Sequence, residues 1–330
     1  MRHALPIAVA VALLAAPVSA QQDDPAGAEV SHVQLRVGAR LTLDRVRVTF
    51  ADGTTRTLGE ALREEVELTD GSSVALVPGD VRRYLGRLVV ERTGGETVAH
   101  LRIPRDEYLA GVVASEMGAT GPDAALRAQA VVSRTLLVVG GDRHPEGEWE
   151  LCDLTHCQSF RGLTEAAAAR RAVADTAGRV LVHGGTAVEA PFLSTCGGAT
   201  LAAATVWGTA HAHLPGSTDL RADGTAYCDG SPHGDWVAAV AAADLPDPAV
   251  ELDRFRLEVG RRHGWNVVKS NRFTATLLTF HERGVWWLEG LGLGHGVGLC
   301  QQGALGRARD GADVDQILDA YFPGARAASH

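Results

Sequence analysis

The chain has 330 residues, 45% of them apolar, with a formal net charge of −9 at pH 7. That is the make-up of a folded protein of one large or two small domains, and the acidic balance argues against a general nucleic-acid binder. The basic residues are otherwise all arginine; the single lysine, Lys269, reads as genome composition rather than mechanism.

The first residues, MRHALPIAVAVALLAAPVSA, have a basic start at Arg2, an apolar run from Ala4 to Ala16 and the small-x-small pattern Val18-Ser19-Ala20. These are the parts of a signal peptide, 1–20, with cleavage expected after Ala20. The run is short for a membrane span, no cysteine follows it to carry a lipid, and no later stretch qualifies as a membrane helix. The expected product is exported, to the periplasm or the cell exterior. Residues 21–29 (QQDDPAGAE) read as a disordered leader. From 30 to 102, short alternating segments such as "RLTLDRVRVTF", "SSVALV" and "TVAHLRI" are separated by Asp-Gly and Gly-Gly turns, which predicts a β-rich region. "LGEALREEVEL" (58–68) reads as a brief helix within it.

The remainder, 103–330, alternates helices with loops. "DEYLAGVVASEM" (106–117) predicts a helix with Asp106 as N-cap. Glu116 falls three, four and seven residues after Val113, Val112 and Leu109, on the same face. A carboxylate aimed along an apolar face is the oddity of this segment. "PDAALRAQAVVSRTLLVV" (122–139) predicts a second helix, in which Gln129 and Arg134 are the polar exceptions. An arginine there requires a carboxylate or several carbonyls. A loop at 140–163, an Ala-rich helix at 164–176 and strands at "RVLVHGG" and "AVEAPFLST" follow. Residues 197–235 are loop-rich, 236–289 mixed, and "DVDQILDAYFPG" is a helix stopped by Pro323-Gly324.

Three clusters have chemical potential. In "GLGLGHGVGLCQQGA" (290–304), glycine at alternate positions strips one side of an extended chain, so another backbone or a polymer can lie on it. The other side carries Leu291, Leu293, His295, Val297 and Leu299, and a histidine in such a row is either a hydrogen-bonded core residue or a site residue. In "HPEGEWELCDLTHC", His144, Cys152, His156 and Cys157 supply two imidazoles and two thiols, the number and type for tetrahedral zinc. A Cys152–Cys157 disulfide and a free thiol pair are the alternatives. "FLSTCGGAT" places Ser194 and Thr195 at the end of a strand with no nucleophile elbow. Five cysteines, Cys152, Cys157, Cys196, Cys228 and Cys300, cannot all pair within one chain; Cys196 and Cys228 are one possible pair, and no second metal site is nominated.

Taken in order, "DEYLAGVVASEM", "ALRAQAVVSRT", "TAGRVLVHGG", "FLSTCGGAT", "VWG", "YCDGSPHGDW", "GLGHGVGLCQQGA" and "ILDAYFPG" resemble the stage II sporulation protein D family (SpoIID/LytB), from about Tyr84 to Gly324. The chain departs from that pattern at Gly118, where proline is frequent, at Ala124-Ala125-Leu126, and in a short stretch between Trp236 and Gly290. The resemblance implies an α+β fold, with a β-rich N-terminal region and helices around a glycan-binding cleft. It implies a peptidoglycan lytic transglycosylase with Glu116 as catalytic acid, its pKa raised by desolvation. It also implies glycan contacts from Gln129, Arg134, Ser194, Thr195, His295 and Gln301, and a structural zinc at His144, Cys152, His156 and Cys157. Peptidoglycan glycan strands, and a cell-wall amidase, are the implied partners. The rival implication is a non-catalytic wall-binding enhancer of an amidase, which shares the framework.

Overall fold

The computed structural model describes residues 29–35, 45–77, 79–93, 96–140, 143–144, 149–280 and 283–330. The expected signal peptide lies outside the described residues. So does the expected leader, except Glu29, which begins a strand. Among the described residues, strands and seven helices are mixed, as an α+β chain requires. Among the described residues, no helix is long and apolar enough to cross a membrane.

The region before Pro104 is β-rich. One sheet runs Arg63–Leu68, Gly86–Thr93, Glu96–Pro104, Glu29–Leu35 and Leu151–Cys152; a smaller one runs Thr55–Leu58, Val46–Thr49, Ser73–Val77 and Asp80–Arg83. The period of two in strand side chains sorts Val66, Leu68, Leu88, Val90, Ala99, Leu101 and Ile103 onto a buried face. The brief helix expected over 58–68 is absent. Arg63–Leu68 is a strand in full antiparallel register with Gly86–Glu91. Its alternation Glu-Val-Glu-Leu outweighs the helix propensity of its glutamates, because pairing buries Val66 and Leu68.

Seven helices follow: α1 (Arg105–Met117), α2 (Asp123–Val139), α3 (Ala167–Asp175), α4 (Ala203–Trp207), α5 (Leu252–His263), α6 (Gln301–Arg309) and α7 (Val314–Tyr321). The N-cap of α1 is Pro104, not Asp106, which sits in the first turn; there its charge complements the helix dipole. Leu109, Val112 and Val113 are buried against the sheet, as the spacing requires. Helix α2 is the centre of the body. It is buried from Ala125 to Leu136 except at Arg127, and its alanines let α1, α3, α6 and α7 approach it. Chain polarity at the edges is satisfied locally: Thr135 Oγ1 accepts the amide of Leu181 at 2.8 Å, tying α2 to the strand Arg179–His183.

A second, smaller core lies in 235–291. The antiparallel strands Asp235–Ala241, Arg283–Leu291 and Phe273–Phe280 pack against α5 through Trp236, Val240, Phe255, Val259, Val268 and Leu288. The mixed region of the sequence is therefore a small α+β unit with an interior of its own.

The glycine-rich run is not extended. Gly292, Gly294, Gly296 and Gly298 all have positive φ, between 79° and 115°. A Cβ at Gly292 would lie 2.1 Å from Thr195 O, and one at Gly298 would lie 2.0 Å from Pro191 O. The bare side of the run is thus covered by the protein itself: the backbone of Pro191 and Thr195 at Gly298 and Gly292, and the Leu193 and Leu201 side chains at Gly294 and Gly296. The parallel pair Phe192–Leu193 with Leu299–Cys300 follows from that contact. Its register sets Ser194 beside Gln301, which are far apart in sequence.

Candidate active site

Glu116 is the penultimate residue of α1, and its carboxyl leaves the apolar face to open on a cleft of about 1200 Å³. Two groups hold it. The amide of Ser159 donates to Oε1 at 2.6 Å, and Gln301 Nε2 donates to Oε2 at 3.0 Å. Burial raises its pKa above the ordinary glutamate value, while the Gln301 and Ser159 donors, which favour the carboxylate, offset part of that rise. The opening oddity therefore has a physical sense: the apolar face desolvates a carboxyl, and two fixed donors aim it.

Behind Gln301 the wiring continues inward. Gln129 is fully buried; its Oε1 faces Gln301 Nε2 at 3.5 Å, and its Nε2 donates to Ser133 Oγ at 3.1 Å. Gln129 thus orients Gln301 and is not itself a cleft-lining residue. Ser194 lines the cleft, whereas Thr195 is buried and bonded to Ser231 Oγ at 2.8 Å.

His295 reaches the cleft wall, but both ring nitrogens are engaged by backbone. Nε2–H donates to Phe192 O at 2.9 Å, and Nδ1 accepts the amide of Val297 at 3.1 Å. Burial, with the Arg256 charge added, lowers its pKa to about 4. It is a neutral imidazole that pins the glycine-rich turn to the strand at Phe192, with the Trp207 ring 5.3 Å away.

Arg134 requires a correction. It is not among the residues that line the cleft, and it makes no bond to Glu116. Its guanidinium donates to Thr176 O at 2.7 Å, Val173 O at 3.0 Å, Thr176 Oγ1 at 3.2 Å and Arg179 O at 3.4 Å. Three of these acceptors are carbonyls at the C-terminus of α3 and the turn after it, where the helix leaves acceptor capacity, and the fourth is the Thr176 hydroxyl. The several-carbonyls requirement of a buried arginine is met there, away from the glycan groove.

His144, Cys152, His156 and Cys157 converge, their ligand atoms all within 4.8 Å of one another. His144 Nε2 lies 3.3 Å from Cys157 Sγ, and His156 Nδ1 lies 3.6 Å and 3.9 Å from the sulfurs of Cys157 and Cys152. Both cysteines are free thiols rather than a bridge. Bonds of about 2.0–2.3 Å to a tetrahedral zinc put neighbouring ligands roughly 3.3–3.8 Å apart, so the donor set fits that ion. Two residues beyond Cys157 comes Ser159, whose amide holds Glu116.

The sequence reading passed over several cleft residues. Trp149 and Trp265 present aromatic surfaces, and Arg143, Arg256, Arg261 and Lys269 make the cleft basic in an acidic chain. Trp265 is 57% exposed and its ring lies on α5 at Gly260, where a Cβ would meet it at 2.3 Å. The signal was present in "RRHGWNVVKS" (261–270), where an aromatic residue sits among cations. Among the described lining residues, Glu116 is the sole carboxylate.

The family model described as Stage II sporulation protein matches residues 93–183, which include α1, α2 and the His/Cys loop. Stage II sporulation protein D of Bacillus subtilis (strain 168) is 29% identical over 280 residues, covering 72% of this chain and 77% of that protein. The corresponding protein of Bacillus amyloliquefaciens is 27% identical over 282 residues, covering 71% and 76%. The amidase enhancer of Bacillus subtilis (strain 168) is 24% identical over 300 residues, covering 67% of this chain but only 40% of that longer protein. The ordered motifs, the matched segment and these relatives together make the chain similar to the SpoIID/LytB family and support a cell-wall-related role.

Proposed function

We propose that this chain is an exported peptidoglycan lytic transglycosylase, with Glu116 as the single acid and base. The observation that carries the reading is that one carboxyl, desolvated and held by two donors, lines a cleft with no other carboxyl among its described residues. A hydrolytic glycosidase ordinarily needs a carboxylate pair; ring closure does not. Protonated Glu116 donates its proton to the glycosidic oxygen as the bond from the muramic C1 to that oxygen breaks. The resulting carboxylate then takes the proton of the C6 hydroxyl as that oxygen bonds C1. The product is a 1,6-anhydro ring, no water is consumed, and Glu116 ends protonated as it began.

Gln301 and Ser159 would stabilise the carboxylate between the two transfers. Trp149 and Trp265 offer flat apolar surfaces for sugar rings. Arg256, Arg261 and Lys269 suit the lactyl carboxylate that a muramic sugar exposes once its stem peptide is gone, which favours denuded strands and an amidase acting first. His144, Cys152, His156 and Cys157 would hold a zinc ion. Four protein ligands leave no open position, so its chemistry is structural: it fixes the loop from which Ser159 reaches Glu116.

The second reading, a non-catalytic enhancer of an amidase, draws on the amidase-enhancer relative. The two separate on Glu116→Gln. A transglycosylase loses turnover with this isosteric change and keeps glycan binding. An enhancer keeps both its binding and its stimulation of the amidase, and neither wild type nor variant cuts.

A further inference from the structure

Behind the cleft lies a second cluster that the catalytic reading does not use. Cys196, Asp219, Cys228 and Cys300 come from separate parts of the chain. Their ligand atoms all lie within 4.8 Å of one another, and none is more than 4% exposed. Cys196 Sγ is 3.8 Å from Cys228 Sγ and 3.2 Å from Asp219 Oδ2. All three sulfurs are free thiols. We infer that these four side chains form a second metal site, a buried three-thiolate, one-carboxylate centre for zinc or another thiophilic divalent ion.

Three features carry this. The first is spacing: about 3.8 Å is the edge of a tetrahedron with metal–sulfur bonds of roughly 2.3 Å, whereas a disulfide draws two sulfurs to about 2.05 Å. The second is the direction of the backbone. The amides of Cys196 and Gly303 both donate to Cys300 Sγ at 3.2 Å. A neutral thiol is a weak acceptor, so two amides aimed at one buried sulfur suit a metal-bound sulfur better than a free thiol. The third is the outer shell. Asp219 Oδ1 accepts Arg307 Nε and the Tyr321 hydroxyl, each at 2.9 Å, which leaves Oδ2 facing the sulfurs. Ligating carboxylates are oriented by such partners. Gly303 completes the seat, since a Cβ there would lie 2.2 Å from Asp219 Oδ2.

A dication balances charge that burial would otherwise penalise heavily. With three thiolates and a carboxylate the centre carries the same net charge as a four-cysteine zinc site, and Arg307 offsets part of it. Four protein ligands make it a closed, structural site. Its position gives it a purpose: Cys196 lies two residues after Ser194, just past the strand Phe192–Leu193, and Cys300 is the N-cap of α6, immediately before Gln301. The ion would rivet together the two segments that form the back wall of the cleft.

The test measures metal content of the full chain, purified without chelator or reductant and loaded with zinc or, for spectroscopy, cobalt. Wild type should hold two ions per chain. Cys152→Ser/Cys157→Ser should hold one and keep the visible spectrum of tetrahedral thiolate cobalt, and Cys228→Ser should also hold one. Failure of the His/Cys site alone would read differently: one ion in wild type, unaffected by Cys152→Ser/Cys157→Ser and lost in Cys228→Ser. One ion in wild type that disappears in Cys152→Ser/Cys157→Ser overturns the second site. Should Cys228→Ser not fold, wild type and Cys152→Ser/Cys157→Ser together decide. Alkylation in denaturant and chelator, without reductant, should label all five cysteines; a disulfide that spares two of Cys196, Cys228 and Cys300, located by peptide mapping, would overturn the proposal.

Discussion

Replacing Arg134 by methionine separates a structural role from a glycan-binding one. Methionine keeps the apolar stem and removes the guanidinium, whose bonds to Thr176 O and Val173 O are the short ones, at 2.7 and 3.0 Å. A buried carbonyl stripped of its donor costs about 1–3 kcal/mol. Each carbonyl here keeps a second donor, since Thr176 O still accepts the Arg179 amide and Val173 O the Thr176 amide, so the lower half of that range applies. Two such losses and a weakened pair of longer bonds give roughly 3 kcal/mol in total. At about 2 °C per kcal/mol, a figure for somewhat smaller chains, the melting temperature should fall by roughly 6 °C. Calorimetry or circular dichroism reads the shift, and glycan binding below the transition should match wild type. Unchanged melting with lost glycan binding would refute the assignment and return Arg134 to the cleft.

Other outcomes follow from the same geometry. Because burial raises the Glu116 pKa, acid catalysis should persist to higher pH than an ordinary carboxyl allows. In Gln301→Leu the alkaline limb of kcat/KM against pH should move further up, as a donor to the carboxylate is gone, while kcat falls; a limb moving down would contradict the wiring. The same shift has a stability consequence. A carboxyl whose folded pKa is raised stabilises the fold below its unfolded pKa, and that contribution is lost as pH rises through the folded pKa. Glu116→Gln should therefore melt increasingly above wild type as pH rises through that window, and a constant difference would contradict it. Removing metal from the His144/Cys152/His156/Cys157 set should release the Ser159 amide and lower turnover, with zinc restoring it; turnover untouched in metal-free protein would sever that link. Gly298→Ala meets Pro191 O at 2.0 Å and should abolish soluble expression. Gly311→Ala, also at positive φ but in open space, should cost only about 1–2 kcal/mol in denaturant titration.

Helices α1, α2, α3 and α7 and the β-rich region were legible because their burial is local and periodic, whereas α4, α5 and α6 lie in stretches that read as loop-rich, mixed or glycine-rich. Glu116 was legible because a carboxylate breaking an apolar stripe is visible in sequence alone. What was not legible depended on tertiary contact. The glycine-rich run satisfies an extended pattern, yet Pro191, Leu193, Thr195 and Leu201 lie on it and force positive φ at its glycines. Arg134 announces that it needs carbonyls but not which, and those at the end of α3 are brought to it only by packing. Gln129 and Gln301 are distant in sequence and meet because α6 starts where the strand Leu299–Cys300 ends. The basic, aromatic wall at 256–269 was missed because its region lacks strong periodicity. Cys196, Cys228 and Cys300 gave no spacing signal at all, since their convergence is set by the fold.

The central claim is that Glu116 cleaves glycan by ring closure. The most direct measurement incubates the wild type and Glu116→Gln with glycan strands freed of stem peptides by an amidase, and identifies chain ends by mass spectrometry. The account predicts 1,6-anhydromuramic ends from wild type and none from the variant. Reducing ends from wild type, or anhydro ends persisting in Glu116→Gln, would contradict it.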